Sequence, residues 1–286
     1  MSPRHLWSLV RQSVDAWMDD YAPSMGAAIA YYTVFSLTPL LLLVIAVAGM
    51  VFGREAVQGE IVAQVSGLMG KEGATAIEGL LVSANEPATS AIATIASVVM
   101  LLIGATTVFA EMQDAFDRIW HVPASKKPGG AFGFIRTRIL SFGLILGLAF
   151  LLIVSLVVSA AVAALGSWWG GYFADWEAVL QIVNTLVSLT LSAVLFAMIY
   201  KLMPRPRIPW RTVFTGAIVT AVLFEIGKFL IGLYLGKSGV TSGFGAAGSL
   251  AVLLIWVYYS AQIFLLGAEF TRKVAISQDA TLADGE

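Results

Sequence analysis

Residues Gly26 to Phe52 read GAAIAYYTVFSLTPLLLLVIAVAGMVF, without one charged side chain. A helix needs roughly 20 such residues to cross a hydrocarbon layer about 30 Å thick. This stretch is long enough to span it with some tilt. Five further runs of the same kind follow: Ser90 to Ala110, Ile139 to Leu165, Val179 to Leu202, Thr212 to Leu235 and Ser249 to Phe270. The spacing predicts an all-α polytopic membrane protein with six transmembrane helices. The runs are continuous, whereas strands of a membrane barrel alternate apolar and polar residues over about 10 positions.

Composition agrees with lipid as the solvent. Of the 286 residues 12% are charged, where a soluble domain carries roughly 25%. Hydrophobic residues make up 58% and the mean hydropathy is +0.85, more apolar side chain than a soluble core of this size hides. The net charge of −1 lacks the basic footprint of a nucleic-acid binder, so no nucleic-acid partner is expected. With no cysteine, disulfides, thiolate nucleophiles and cysteine-ligated metals are excluded. No cofactor is expected.

The remaining segments organise around the spans as one integral domain over residues 1–286. Residues 1–20 mix Arg4, Arg11, Asp15, Asp19 and Asp20 among apolar residues, unlike a cleavable leader. Trp7, Val10, Val14, Trp17 and Tyr21 recur at helical spacing, which predicts an interfacial helix within residues 1–25; packing of that face on the protein's own helices is the alternative. Residues 53–89 carry Val57, Ile61, Val65 and Leu68, then Ile77, Leu80 and Leu81. Two short amphipathic helices capping the bundle are expected there, separated at Gly70 and Gly73 and closed by Pro87. Gly236 to Gly248, rich in glycine, reads as an outer loop or partly re-entrant turn.

Lysine and arginine set the orientation. With a cytoplasmic N-terminus, that side holds Arg4, Arg11, Arg118, Lys126, Lys127, Arg136, Arg138, Lys201, Arg205, Arg207, Arg211, Arg272 and Lys273. The other side holds Arg54, Lys71 and Lys237, and Lys228 lies within a span. The positive-inside rule then puts both termini in the cytoplasm. Three helices entering from one side and three from the other would also suit an inverted repeat, for which Glu111 with Phe116 and Glu225 with Phe229 are loose echoes.

Charges inside spans cost roughly 2.5–3.5 kcal/mol near the bilayer centre, so they are the sharpest functional clues. Glu225 and Lys228 sit three residues apart in the fifth span, on one helical face. They form either a polar site facing a cavity or a self-neutralising pair. Tyr31, Tyr32, Thr33, Ser36 and Thr38 crowd the turns before Pro39, a polar face that borders a substrate path or hydrogen-bonds across helices. Glu111, Asp114 and Asp117 form an acidic row, a weak metal candidate that also suits a solvated helix end paired with Lys126, Lys127 or Arg136. Glu269 is expected to pair with an arginine from a neighbouring loop. The Pro204-to-Arg211 turn presents Arg205, Arg207 and Arg211 to anionic lipid headgroups.

These residues also carry a resemblance. Ala30-Tyr31-Tyr32-Thr33-Val34-Phe35-Ser36-Leu37-Thr38-Pro39, Phe116-Asp117-Arg118-Ile119-Trp120, the Pro204–Arg211 turn, Gly248-Ser249-Leu250, Trp256-Val257-Tyr258 and Leu266-Gly267-Ala268-Glu269 together resemble the YihY/BrkB family of bacterial inner-membrane proteins. Asp117 stands where that family commonly has asparagine, and Ala247 where an aromatic residue is usual. The resemblance implies six membrane helices with both ends cytoplasmic, in the bacterial inner membrane. It also implies a contested activity: an old label of ribonuclease BN, a link of some members with resistance to host killing, and a branch associated with export of lipid A precursors.

Three functions follow as expectations. The first is a transporter or flippase moving an amphipathic, anionic solute or lipid through a cavity lined by Glu225, Lys228, Tyr31, Tyr32, Ser36 and Pro39. The second is a non-catalytic membrane-organising or envelope-resistance protein, a homo-oligomer meeting its partner through Gly143 and Gly147. A ribonuclease is disfavoured, since His5 and His121 are isolated in sequence and the acidic row has no partner set, so no catalytic residue and no metal are assigned.

Overall fold

The computed structural model describes residues 3–83, 91–123, 176–237 and 248–283, together with scattered positions between 139 and 157. Among the described residues the chain is helical, without strands. The helices are α1 (Pro3–Asp19), α2 (Ala22–Phe52), α3 (Arg54–Ser83), α4 (Ala91–Ile119), α5 (Trp176–Leu202), α6 (Trp210–Lys237) and α7 (Gly248–Ala283). Ile139, Gly143, Leu146, Gly147, Phe150, Leu151, Val154 and Val157 are helical as well. Four stretches of the described residues are long and apolar enough to cross a membrane: Ala22–Phe52, Thr185–Leu202, Trp210–Tyr234 and Leu250–Gln278. These match the expected first, fourth, fifth and sixth spans. The expected second span falls in α4, and most of the third, like the Gly-rich stretch 238–247 and Pro87, lies outside the described residues.

Polar contacts gather particular helix ends at one end of the bundle. Asp117 at the close of α4 meets Arg205 just after α5, Thr212 at the start of α6 bonds Gln278 late in α7, and Asp20 before α2 meets His121 after α4 and Arg272 in α7. From that end α2 and α6 run away, while α4, α5 and α7 run toward it. The opposite end carries α3, which packs on α2 and α7.

The core is built from residues spaced for helix faces. Ile29, Ile45 and Ala48 of α2, Phe109, Phe116 and Ile119 of α4, and Leu253, Val257 and Leu265 of α7 are buried in one cluster. Aromatic rings fill its centre: Phe116 lies edge-on to Phe264 at 5.5 Å and Tyr200 stacks on Phe264 at 5.6 Å. Such pairs add to the area they bury. The Tyr200 hydroxyl donates to the Phe264 carbonyl at 2.8 Å and lies 3.1 Å from Thr220 Oγ1, so its polar end is satisfied inside the bundle.

Small residues let the helices approach. A Cβ on Gly267 would strike Thr220 and Tyr200, and one on Gly216 would strike Thr271. The α6–α7 seam is therefore glycine against threonine, the close packing that membrane helices use in place of a hydrophobic drive. α2 runs unbroken through Pro39, and a Cβ on Gly104 of α4 would lie 2.8 Å from the Pro39 ring. Gly104 makes room for the ring that interrupts the α2 hydrogen-bond ladder.

Residues 53–89 differ from expectation in one respect. Instead of two helices with a non-helical break, the backbone is helical without interruption from Arg54 to Ser83. It is not a straight rod, which would put Glu55 and Glu78 about 35 Å apart. Glu55, Gln58, Gly59 and Val62 share the lining of a single cavity of 380 Å³ with Glu78, Leu81 and Val82. The segment folds back between Val62 and Glu78, and Val57, Ile61, Ile77 and Leu81 bury themselves in the common core. An unbroken α-helical ladder cannot double back over so few residues, so the two arms meet at a sharp bend and both bury a face.

Candidate functional site

Glu225 and Lys228 do meet. One helical turn apart on α6, they form an ion pair of 2.7 Å, with side chains 22% and 18% exposed. Ser188 of α5, which the sequence reading passed over, completes the group. Its hydroxyl donates to Glu225 Oε1 at 2.9 Å and accepts from Lys228 Nζ at 3.3 Å. The ammonium also lies 5.9 Å from the centre of the Phe224 ring, which rests against Trp256. Lys228 therefore turns back to Glu225, with its ammonium near an aromatic face. A Cβ on Gly227 would crowd Tyr259 and Ile263, so α6 and α7 touch closely behind the pair. Chemically this is an internally neutralised, partly exposed ion pair of α6 bonded to Ser188 of α5.

The α2 candidates lie elsewhere. α2 packs against α4, α7, α3 and α1, while Glu225 and Lys228 belong to the α5–α6 face. Tyr31 is 56% exposed and Tyr32 is exposed beside it, the two rings edge to face at 5.4 Å and Tyr31 against Phe35 at 4.8 Å. This is an outward aromatic patch, not the wall of a path shared with Glu225 and Lys228. Ser36 is buried in the core and Pro39 packs toward Gly104.

The basic turn divides. Arg205 points inward, its guanidinium 3.1 Å from Asp117, whose side chain is 1% exposed. Two buried charges are tolerable only when paired, so Arg205 leaves the headgroup rim. Arg207 and Arg211 remain exposed. Lys201 donates to the Ile208 carbonyl and lies over Trp210, fastening the turn to the end of α5.

The acidic row is dispersed. Asp117 turns into the protein to meet Arg205, Asp114 is exposed, and Glu111 is half-buried. Burial pushes the Glu111 carboxyl up from its ordinary range, with Asp114 adding to the effect and Arg118 opposing it. Among the described residues no group of three or more His, Asp or Glu side chains is placed to hold a metal ion. Glu269 is fully buried, and its cation is Arg272 of the same helix at 3.8 Å, in place of an arginine from a loop. Gly147, expected at a contact between protomers, would strike Met198 of α5 if it carried a Cβ; Gly143 faces open space.

α1 divides into three faces. Leu9, Ser13 and Ala16 are buried, Leu9 with Val219, Phe270 and Val274. Leu6, Trp7, Val10, Val14 and Met18 are exposed, Trp7 by 71%. Arg4, Arg11, Asp15 and Asp19 form the third face, also exposed. Of the predicted aromatic face only Trp17 packs against the core.

A family model described as Virulence factor BrkB matches residues 13–286. A UPF0761 membrane protein of Pseudomonas aeruginosa (strain LESB58) is 28% identical over 264 residues, 92% of this chain and 61% of that protein. A UPF0761 membrane protein of Stenotrophomonas maltophilia (strain R551-3) is 32% identical over 264 residues, 91% of this chain and 59% of that protein. The chain thus spans about three fifths of the length of these curated relatives. No solved structure matches it.

Proposed function

Because this chain belongs to the virulence factor BrkB family of membrane proteins, we propose that it is a six-span bacterial inner-membrane transporter or flippase for an amphipathic, anionic solute or lipid. The observation that carries this reading is the Ser188–Glu225–Lys228 group. Two ionised side chains in a membrane helix cost several kcal/mol between them. The helices around them already close, α6 on α7 through Gly216 and Gly227 and α7 on α5 and α6 through Gly267. An ion pair that stays partly exposed suits a site where a substrate anion takes Lys228 from Glu225.

Direction of the helices supports the span count. α4 and α5 both run toward the α1 end of the bundle, a parallel direction that favours one further span between them. Gly147, a helical position between them, faces Met198 of α5. With α4, this brings the spans to six. The exposed apolar face of α1 fits a helix lying in the cytoplasmic headgroup layer, and exposed Arg207 and Arg211 fit anionic lipid there. Both termini are then cytoplasmic and α3 caps the outer side.

The test uses purified protein in vesicles containing a fluorescent phosphatidylserine, with leaflet exchange read by chemical quenching. Glu225→Gln and Lys228→Ala each slow exchange about tenfold, equivalent to about 1.4 kcal/mol, with unchanged insertion. Wild-type exchange rates in both variants refute the assignment. A second reading, a membrane-organising protein without transport, draws on the internal neutrality of the pair. It predicts that the same variants lower thermal stability and that wild-type vesicles exchange no faster than protein-free ones.

A further inference from the structure

Glu269 of α7 is fully buried, and among the described residues no donor reaches either of its carboxyl oxygens. Its ion-pair partner Arg272, one turn further along α7, holds Nη1 3.8 Å from Glu269 Oε2, too far for a hydrogen bond. The same Nη1 lies 3.8 Å from Asp20 Oδ2, in the corner between α1 and α2, while Nη2 lies 2.9 Å from His121 Nδ1. One guanidinium thus stands beside two carboxyl groups and is hydrogen-bonded to neither.

What does reach Glu269 is another carboxyl. Its side chain is in hydrogen-bonding contact with that of Asp20. Ionised carboxylates only accept, so a contact of this kind closes only with a proton between the oxygens. Two charges placed so close also repel, and paired carboxyls therefore bind one proton in common. The surroundings decide which of the two carries it. Asp20 keeps 16% of its side chain in water and has His121 Nε2 at 3.1 Å, so a charge is tolerated there. Glu269 has neither water nor a donor, and a bare buried charge is the costlier state.

We propose that Asp20 and Glu269 form a proton-binding site, in which Glu269 stays a neutral acid at neutral pH and donates its O–H to the Asp20 carboxylate, joining the α1–α2 corner to α7 through a shared proton. The charges of Asp20 and Arg272 then balance, and the junction buries no net charge. The other charged or titratable groups around it are Asp15 and Asp19 on α1, Lys273 beside Arg272 on α7, the His121 ring after α4, and exposed Arg118 further back on α4. α6 meets this part of α7 through Gly216 against Thr271 and brings no charge there. Asp20, His121, Arg272 and Lys273 line a cavity of 240 Å³ at this end of the bundle, so the proton exchanges with water by way of Asp20. Neither carboxyl belongs to the Ser188–Glu225–Lys228 group, and the site does not depend on transport.

Infrared spectra of the full chain in lipid nanodiscs read the site directly, because a protonated carboxyl has a carbonyl band that a carboxylate lacks. With glutamate labelled by carbon-13 at the side-chain carboxyl, the wild type shows a protonated-glutamate band at about pH 7, where glutamate in water is ionised. The band is missing from Glu269→Gln, whose amide still donates to Asp20 and keeps the junction closed. It is weaker or absent in Asp20→Asn, whose amide donates to Glu269 and removes the neighbouring charge. A wild type without the band, or a band unchanged in either variant, overturns the proposal. Thermal stability gives a second reading. Unfolding hands Glu269 to water, where it gives up its proton, so the wild type melts at progressively lower temperature relative to Glu269→Gln as the pH rises from about 5 to about 7. A difference between the two that stays constant over that range overturns it as well.

Discussion

At the scale of single residues, the pairing of charge decides what each ionised group does. Asp117 and Arg205 are bound to one another with almost no water, so loss of one partner strands the other. Asp117→Ala is expected to cost about 3–5 kcal/mol, read as a lower melting temperature of the detergent-purified protein. Asp117→Asn, which keeps an acceptor for the guanidinium, costs less. Arginine's role here was illegible in sequence, where Arg205, Arg207 and Arg211 alternate with prolines and look alike. Only the fold puts a buried carboxylate in front of the first and solvent in front of the others. Glu225 and Lys228 were legible because i, i+3 spacing fixes their approach before any tertiary contact forms. Ser188 was not, since a serine in an apolar helix carries no signal until another helix brings it a charge.

At the scale of elements, glycine and threonine seams hold the helices. Gly267 faces Thr220 and the Tyr200 hydroxyl, all in the buried centre with no free end to swing aside. Gly267→Ala should lower stability by about 1–3 kcal/mol by overpacking, whereas Gly143→Ala, facing open space, should be near neutral. A thermal-shift comparison of the two distinguishes packing from helix propensity. α1 makes a different prediction. With its exposed apolar face against lipid, as proposed, a spin label at Met18→Cys in vesicles is more accessible to oxygen than to a water-soluble nickel chelate. The reverse ranking would place the face in water. Of the aromatic spacing, Trp17 packs inward while Trp7, Val10 and Val14 are exposed.

At the scale of the molecule, the ends of the helices test the proposed orientation. Val82 lies at the α3 end and Ile276 at the α1 end, both exposed. In spheroplasts, a membrane-impermeant thiol reagent should modify Val82→Cys directly and Ile276→Cys only after lysis. Equal labelling of both from outside would break the proposed orientation. The division of the sequence-picked candidates also belongs to this scale. Tyr31 and Tyr32 fall on α2 and Glu225 and Lys228 on α6, with different neighbours. No local pattern tells which of several apolar helices will be adjacent, because each buries its surface against lipid or protein at similar cost.

Sequence alone determined the solvent of this protein, the helical class and the place of four membrane-length helices, since hydrophobicity and length are sums over local residues that the bilayer reads directly. It also marked the charged pair on α6, because spacing along one helix is a local quantity. Tertiary structure alone decided which helices are neighbours, that the α3 segment folds back on itself, that Arg205 turns inward, and that His121 bridges Asp20 to Arg272 across 101 and 151 residues of chain. Those outcomes depend on which surfaces close on each other, and a contact between distant segments leaves no trace in the spacing of either.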